Sequence, residues 1–552
     1  MKSKFILALT LMGSTTLACF ADGYMDGVEY YQAGQDKNAE IVLNQTLNDA
    51  GTVKTEAYYY LGCIALNRGN STEANAYFDK GIEADPTFAF NYVGKGSAAL
   101  RAGNKAEAEE FFKQAEKINK KDAKVKVEIA RAYYDANKVT YNNEYNKYLE
   151  NAKKANKKEA TIYIFEGDMF ADQKNYGESA GYYDMSLLFN DESPIAYVKY
   201  ANTYFKINPN EAIAKLKQIV EKKPNSLLAQ RELAEKYYEN DQWTLATEEY
   251  KHVIDNPNHF QSDDERYVVL LYFAKNYTES LQRAQAQLDK NPSSFLMKRM
   301  RFINAAQLEK WEDAERYAEP FFAAGSEDNL FSSNDYSTYG DVLKKLGKTE
   351  ASLAAYEKAV TINPEKTEPL KDLSSAYSVA AGDEQDPAKQ AELYKKAAQY
   401  YQQYIDKADF STNDMFVLAG RYNNVMASAQ NNEDKEAAFK KALETIDYVL
   451  AKVPDDYRIS QRKARIYLVY EGSDKKAGLA KDSYELMIKT LEGQGDKVDA
   501  GRRADALKEA YNYIASYYLA NGNTATAKAY YEKMLEVDPT NDALRQYIST
   551  MK

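Results

Sequence analysis

Apolar and polar positions along the chain fall into blocks that repeat about every 34 residues. Small residues stand at Gly27, Gly62, Gly96 and Ala130, spaced 35, 34 and 34, and then at Gly167, Ala201 and Ala234, spaced 37, 34 and 33. Twelve residues after several of these small positions comes an alanine, and four further on a large side chain: Ala39 with Leu43, Ala74 with Phe78, Ala108 with Phe112, Ala246 with Tyr250, Ala527 with Tyr531. Prolines close many blocks, at Pro86, Pro224, Pro257, Pro292, Pro364, Pro454 and Pro539.

Each block predicts two antiparallel helices. Where such helices cross, a small residue on one must admit the bulk of the other, which the Gly62 and Phe78 positions supply. The turn between them needs a left-handed residue, and glycine sits there at Gly34, Gly69, Gly103, Gly347 and Gly522. Proline ends the second helix because it lacks the N–H needed to continue the ladder. One helix pair cannot bury its own apolar face, so neighbours must stack. The register slips in three zones. Between Lys138 and Ala152 the second helix is shifted, with Tyr148 expected in the large position. The polar run 382–387 splits a helix pair, and longer loops are expected over 427–435 and 492–501. The chain therefore divides into a leader (1–21), regular repeats (22–392), longer or degenerate repeats (393–500) and a closing repeat with a capping helix (501–552).

In Tyr58-x-x-Leu61-Gly62 followed by Ala74, Phe78 and Pro86, and in Tyr511, Ile514, Ala515, Tyr518, Ala527, Tyr531 and Pro539, the chain resembles the tetratricopeptide-repeat family over essentially all of 22–552. The resemblance implies an all-α, right-handed superhelical solenoid of about 14 helix pairs, of the secreted, Bacteroidetes-like kind. It also implies binding of proteins or peptides along a concave surface, with no catalysis and no cofactor. Chaperone-binding members clamp a peptide carboxylate with a Lys/Asn set, but Val28, Cys63 and Ser97 stand where the asparagine would fall, so that role is not carried over.

Composition narrows the chemistry. Tyrosine is the outlier at 48, against 2 His, 2 Trp and 2 Cys, and so few imidazoles leave little for acid–base or metal chemistry. A net charge of −11 argues against general affinity for nucleic acid or anionic lipid. Lys2 and Lys4, the apolar run Phe5 to Met12 and the small stretch Gly13 to Ala21 read as a secretory signal, which places the protein in the periplasm or at the outer membrane. The alternative is a lipoprotein signal, since Thr16-Leu17-Ala18-Cys19 resembles a lipobox; acylated Cys19 would then be the chain's one membrane attachment.

Candidate reactive groups give way to bland readings. Gly347-Lys348-Thr349 has the end of a phosphate loop, but Val342 occupies the place of the upstream glycine. His252 and His259 lack a Cys partner at zinc-site spacing. Asp263-Asp264-Glu265 reads as a solvated helix start. Cys63 lies inside a predicted helix far from either histidine. No catalytic, metal or cofactor site is expected.

The tyrosines at large positions, Tyr58, Tyr183, Tyr250, Tyr356 and Tyr531, are expected as core wedges. Doublets differ, because adjacent helical residues point about 100° apart. Tyr133 and Tyr237 should pack, leaving Tyr134 and Tyr238, with Phe205 in the equivalent place, on the inner surface as partner contacts. Arg131, Asp168, Asn202 and Glu235 share that face. The rival reading is a glycan- or nutrient-binding outer-membrane lipoprotein of helical-repeat type, for which Trp243 and Trp311 would be the platforms; their register places both at the packed start of a second helix.

Overall fold

The computed structural model describes residues 23–256, 258–326, 330–494 and 497–551. The leader with Cys19, and Pro257, lie outside them. Among the described residues the chain forms twenty-nine helices and no strand.

The pair Lys54–Asn67 and Ser71–Ala84 illustrates how sequence makes the repeat. Gly69 takes φ +81°. Its N–H reaches the Leu66 carbonyl at 3.0 Å and that of Asn70 the Ala65 carbonyl at 2.9 Å, satisfying carbonyls the first helix leaves open. The Asn70 side chain then accepts from the Glu73 N–H at 3.2 Å and starts the second helix. All five expected turn glycines have positive φ, between 71° and 84°. The same turn recurs where no glycine marks it: Lys174, Asp241, Lys275 and Glu309 adopt φ of 60°, 57°, 61° and 55°. Their N–H groups repeat the same bond pattern, as in Lys275 to Tyr272 at 2.9 Å.

Packing follows the small–large rule. Phe78 is fully buried, and a β-carbon at Gly62 would lie 2.4 Å from its ring, one at Gly94 of the next pair 2.3 Å. The wedge is therefore held between glycines of two successive repeats. Tyr183 against Gly167 and Tyr356 against Gly340 repeat the contact. The alanine and large positions Ala39/Leu43, Ala74/Phe78, Ala108/Phe112, Ala246/Tyr250 and Ala527/Tyr531 are all buried. Helices end at Ala84, Lys222, Lys290, Ile362, Lys452 and Val537, each two residues before a proline of the series.

Two expectations are corrected. Tyr58 is not a core wedge: it is half-buried, stacked on Tyr77 at 6.3 Å, while its neighbour Tyr59 is buried. In the helix Asn142–Ala155, Tyr145 and Leu149 take the buried alanine and large places, and Tyr148 lies alongside, stacked on Tyr133 at 5.9 Å. The second helix there is shifted as expected, its buried pair standing fifteen and nineteen residues after Ala130 instead of twelve and sixteen, but Leu149 and not Tyr148 takes the large place.

The chain forms two compact units, Met1–Arg283 and Ala284–Lys552. In the first, the array returns on itself. Helix Gly23–Gln32 packs against helices Pro194–Tyr204 and Leu227–Glu239, and one core cluster joins Tyr24, Leu61 and Ile64 with residues from Ile195 to Leu271. In the second, the substantial helix contacts among the described residues join helices adjacent or next but one along the chain. Its helices are also longer, with three of 21 residues at Pro387–Lys407, Asn432–Lys452 and Ala500–Ala520.

Candidate functional site

The row expected on the inner face is a set of ion pairs between successive first helices of the repeats. Arg131 Nη1 donates to Asp168 at 2.9 Å, Lys199 Nζ to the other oxygen at 2.8 Å, and the Tyr183 hydroxyl to the same carboxylate at 2.9 Å. Burial pushes the Asp168 carboxyl up, but Lys199 and Arg131 outweigh it and hold it below the ordinary range. The Arg131 guanidinium also lies 4.5 Å from the centre of the Phe165 ring. Glu235 is gripped at both oxygens by Arg266, at 2.8 and 2.5 Å. Asn202 is exposed and bonds Glu232.

Of the three aromatic candidates, two are half-buried. The Tyr134 hydroxyl donates to Asp172 at 2.8 Å, where Lys138 also binds, and its ring meets Phe165 edge-on at 5.8 Å. Tyr238 carries the Arg266 guanidinium at 4.3 Å over its face and touches Phe273 at 5.3 Å. Phe205 departs from expectation. It is buried in the core cluster of the first unit, with Lys236 Nζ of helix Leu227–Glu239 5.1 Å from its ring. Tyr133 and Tyr237 are buried, as their packing role requires.

Between the first repeats, Tyr31, Tyr59, Cys63, Arg101, Glu128, Arg131 and Asp135 line a cavity of about 30 Å³, room for roughly one water. Burial, reinforced by Glu128, pushes the Cys63 thiol up to about 12, so near neutral pH it is no thiolate nucleophile. His259 meets the Asn256 carbonyl at 2.7 Å and Asp264 at 3.4 Å, and among the described residues no three His, Cys, Asp or Glu side chains gather as metal ligands. Lys348 bonds Glu315 at 2.6 Å from the Gly347 turn. Trp243 packs 5.8 Å from Phe273, and Trp311 carries Lys345 at 5.7 Å. No described helix is long and apolar enough to cross a membrane.

One cluster escaped the sequence reading. Asp263, expected in solvent, is 3% exposed. It caps its helix by accepting from the Phe260 N–H at 2.7 Å and takes the Tyr250 hydroxyl at 2.8 Å. Arg231, itself buried, donates Nε and Nη2 to its two oxygens at 2.9 and 2.5 Å. The pairing recurs as Arg299 with Asp335 at 3.0 Å and Lys371 with Asp414 at 2.8 Å. A signal existed in Ser332-x-x-Asp335 and Ser411-x-x-Asp414, both of which form capping boxes.

Paired helices, left-handed turns and glycine-wedge packing define a helical-repeat protein of stacked two-helix units. Models of the tetratricopeptide repeat match residues 59–123, 196–226, 336–366 and 508–541, and the chain is a multi-repeat protein of the tetratricopeptide-repeat family. No curated protein matches it. Among solved structures it is similar to the C-terminal part of a tetratricopeptide-repeat protein of Cytophaga hutchinsonii, at 24% identity over 51% of this chain and 98% of that one, TM-score 0.40. It is also similar to a tetratricopeptide-repeat protein of Parabacteroides merdae, at 12% identity over 58% and 98%, TM-score 0.29. Likeness at that level carries nothing about partners or activity. Proteins of this family generally bind proteins or peptides.

Proposed function

We propose that the chain is a non-catalytic scaffold of the bacterial cell envelope, exported across the inner membrane, that holds protein partners on the inner faces of its first-unit repeats. The observation that carries the reading is the pair of half-buried tyrosines, Tyr134 and Tyr238, each beside a cation and an ion-paired acid. Rings held this way offer contact area at low entropy cost, and the flanking charges supply hydrogen-bond partners.

Capture from the native envelope followed by mass spectrometry tests it. Tyr134→Ala combined with Tyr238→Ala should lose partners that the parent protein retains, while circular dichroism keeps the helical signal. Undiminished recovery of every partner would remove these rings from the reading. Export is tested separately by cell fractionation, and the lipid-anchor alternative by palmitate labelling of the parent protein and of Cys19→Ala.

A further inference from the structure

The place where the first unit meets itself is built like an occupied binding site. Tyr30, on the first helix, is 1% exposed and 201 residues distant from Arg231, yet its hydroxyl accepts from Arg231 Nη1. Arg231 gives its Nε–H and one Nη2–H to Asp263, and Nη1 is the nitrogen that donates to the Tyr30 hydroxyl covering the wall. Phe260 completes the slot: its ring lies 4.5 Å from the guanidinium and 5.7 Å from the Tyr30 ring. Beside it Gln35 donates to Glu232 at 2.6 Å, and Glu29, next to Tyr30 on the same helix, feels the electrostatic pull of Lys223.

Comparison within the chain separates this wall from ordinary packing. Arg299 and Asp335 make the same pair, and there the guanidinium lies over Phe295 and Phe321 of its own and the adjoining helices, at 4.9 and 5.5 Å. The repeat therefore forms its ladder without help from a distant helix. At Arg231 a segment from the far end of the unit supplies the acceptor and the second ring.

We propose that the wall of Arg231, Phe260 and Lys223 is a recognition site for a helical partner segment carrying a tyrosine next to an acidic residue, and that Glu29 and Tyr30 of the chain's own first helix occupy it until such a segment displaces them. An aromatic hydroxyl suits a buried guanidinium N–H already balanced by Asp263, since it supplies an acceptor without a second negative charge. An acid beside it suits Lys223. The inference rests on the scaffold reading and names a partner chemistry for it.

The test uses the full chain and a synthetic peptide of residues 23–46, with hydrogen exchange as readout. Arg231→Ala should speed exchange in helix Gly23–Gln32 at least about tenfold, while helix Ser71–Ala84 keeps its parent rates. Excess peptide should speed exchange in the same first helix of the parent chain, and a peptide with Tyr30→Ala should not. If the peptide leaves the first helix as protected as before, the contact is fixed core and the proposal falls. Should Arg231→Ala fail to fold, Tyr30→Phe removes only the hydroxyl, and it must still raise first-helix exchange. Failure here with loss of partners in the Tyr134/Tyr238 variant would sink this site and leave the scaffold standing; retention of partners in that variant with displacement here would do the reverse.

Discussion

The two compact units use one ladder and finish it differently. In the first, Arg231 and Asp263 lie beneath a helix some 200 residues away, with side chains 9% and 5% exposed. In the second, Asp335 is just as buried at 3%, but Arg299 is 26% exposed, and the Asp414 partner Lys371 is 39% exposed. A capping aspartate reached by a cation from the preceding repeat is thus a local device, fixed by helix-start chemistry and the repeat spacing. Whether the cation is sealed depends on how far the array winds back on itself, which no single repeat encodes.

The largest expected effect breaks that contrast at its acid. Removing one partner of a buried ion pair leaves an uncompensated charge, worth about 3–5 kcal/mol when solvent cannot reach it. Asp263→Ala should cost about that much and loosen the first helix as well, whereas Asp335→Ala should cost roughly 1–3 kcal/mol because Arg299 can turn to water. Denaturant unfolding followed by hydrogen exchange in each unit measures both. Equal losses would mean the cover over Arg231 contributes nothing.

A pH series sharpens the same contrast. Burial, with repulsion from Asp26, pushes Glu29 up to about 7 against the pull of Lys223, and burial also raises Glu232 across the seam. The helices packed against the first helix also carry Asp36, Lys37, Glu40, Lys54, Lys199, Glu235, Lys236 and Glu239, together with Glu56, bonded by Tyr24, and Arg231, already paired with Asp263. For an acid raised on folding, the folded state binds the extra proton, so the penalty is absent below its unfolded value near 4.5 and grows until pH passes 7. Exchange in helix Gly23–Gln32 should therefore quicken between about pH 5 and 8, by roughly 1–2 kcal/mol after allowing for screening. Glu29→Gln should flatten most of that slope. Asp414, which burial would raise, is instead held well below the usual range by Lys371, Ser411 and Tyr401, so the second-unit ladder around it should not weaken over this interval.

How much of this was legible in the sequence follows from the range of each interaction. Gly62 and Phe78 are sixteen residues apart and recur, so the wedge could be read directly. Turn glycines and closing prolines act on their own backbone and were equally plain. Arg131 with Asp168 and Glu235 with Arg266 span one repeat; the repeat register singles out Arg131, Asp168 and Glu235, but not their ion pairs with each other or with Arg266. Asp263 looked like solvated charge because three acids in a row say nothing of the arginine one repeat earlier. Tyr30 with Arg231 was beyond reach: closure depends on the accumulated rotation of several repeats, and that sum leaves no local mark.

The smallest expected effect asks whether anything local distinguishes the units. Lys275 in the first and Glu309 in the second hold the left-handed turn position at φ 61° and 55°, a conformation that costs an L-residue roughly 1–2 kcal/mol. Glycine removes that strain but adds unfolded-state entropy of about 0.5–1 kcal/mol, so Lys275→Gly and Glu309→Gly should each stabilise by about 0.5–1 kcal/mol. The converse changes are Gly69→Ala and Gly347→Ala, where an added β-carbon meets nothing within 4 Å. Their loss, about 1 kcal/mol, is then purely conformational. Matching values across the units would show that the turns are the same local structure in both, leaving the closure over Arg231 as the difference between them. A turn substitution that moved one unit by several kcal/mol and spared the other would mean that the turn feels its unit's winding, and the separation of local from long-range causes drawn from the ladder would fail.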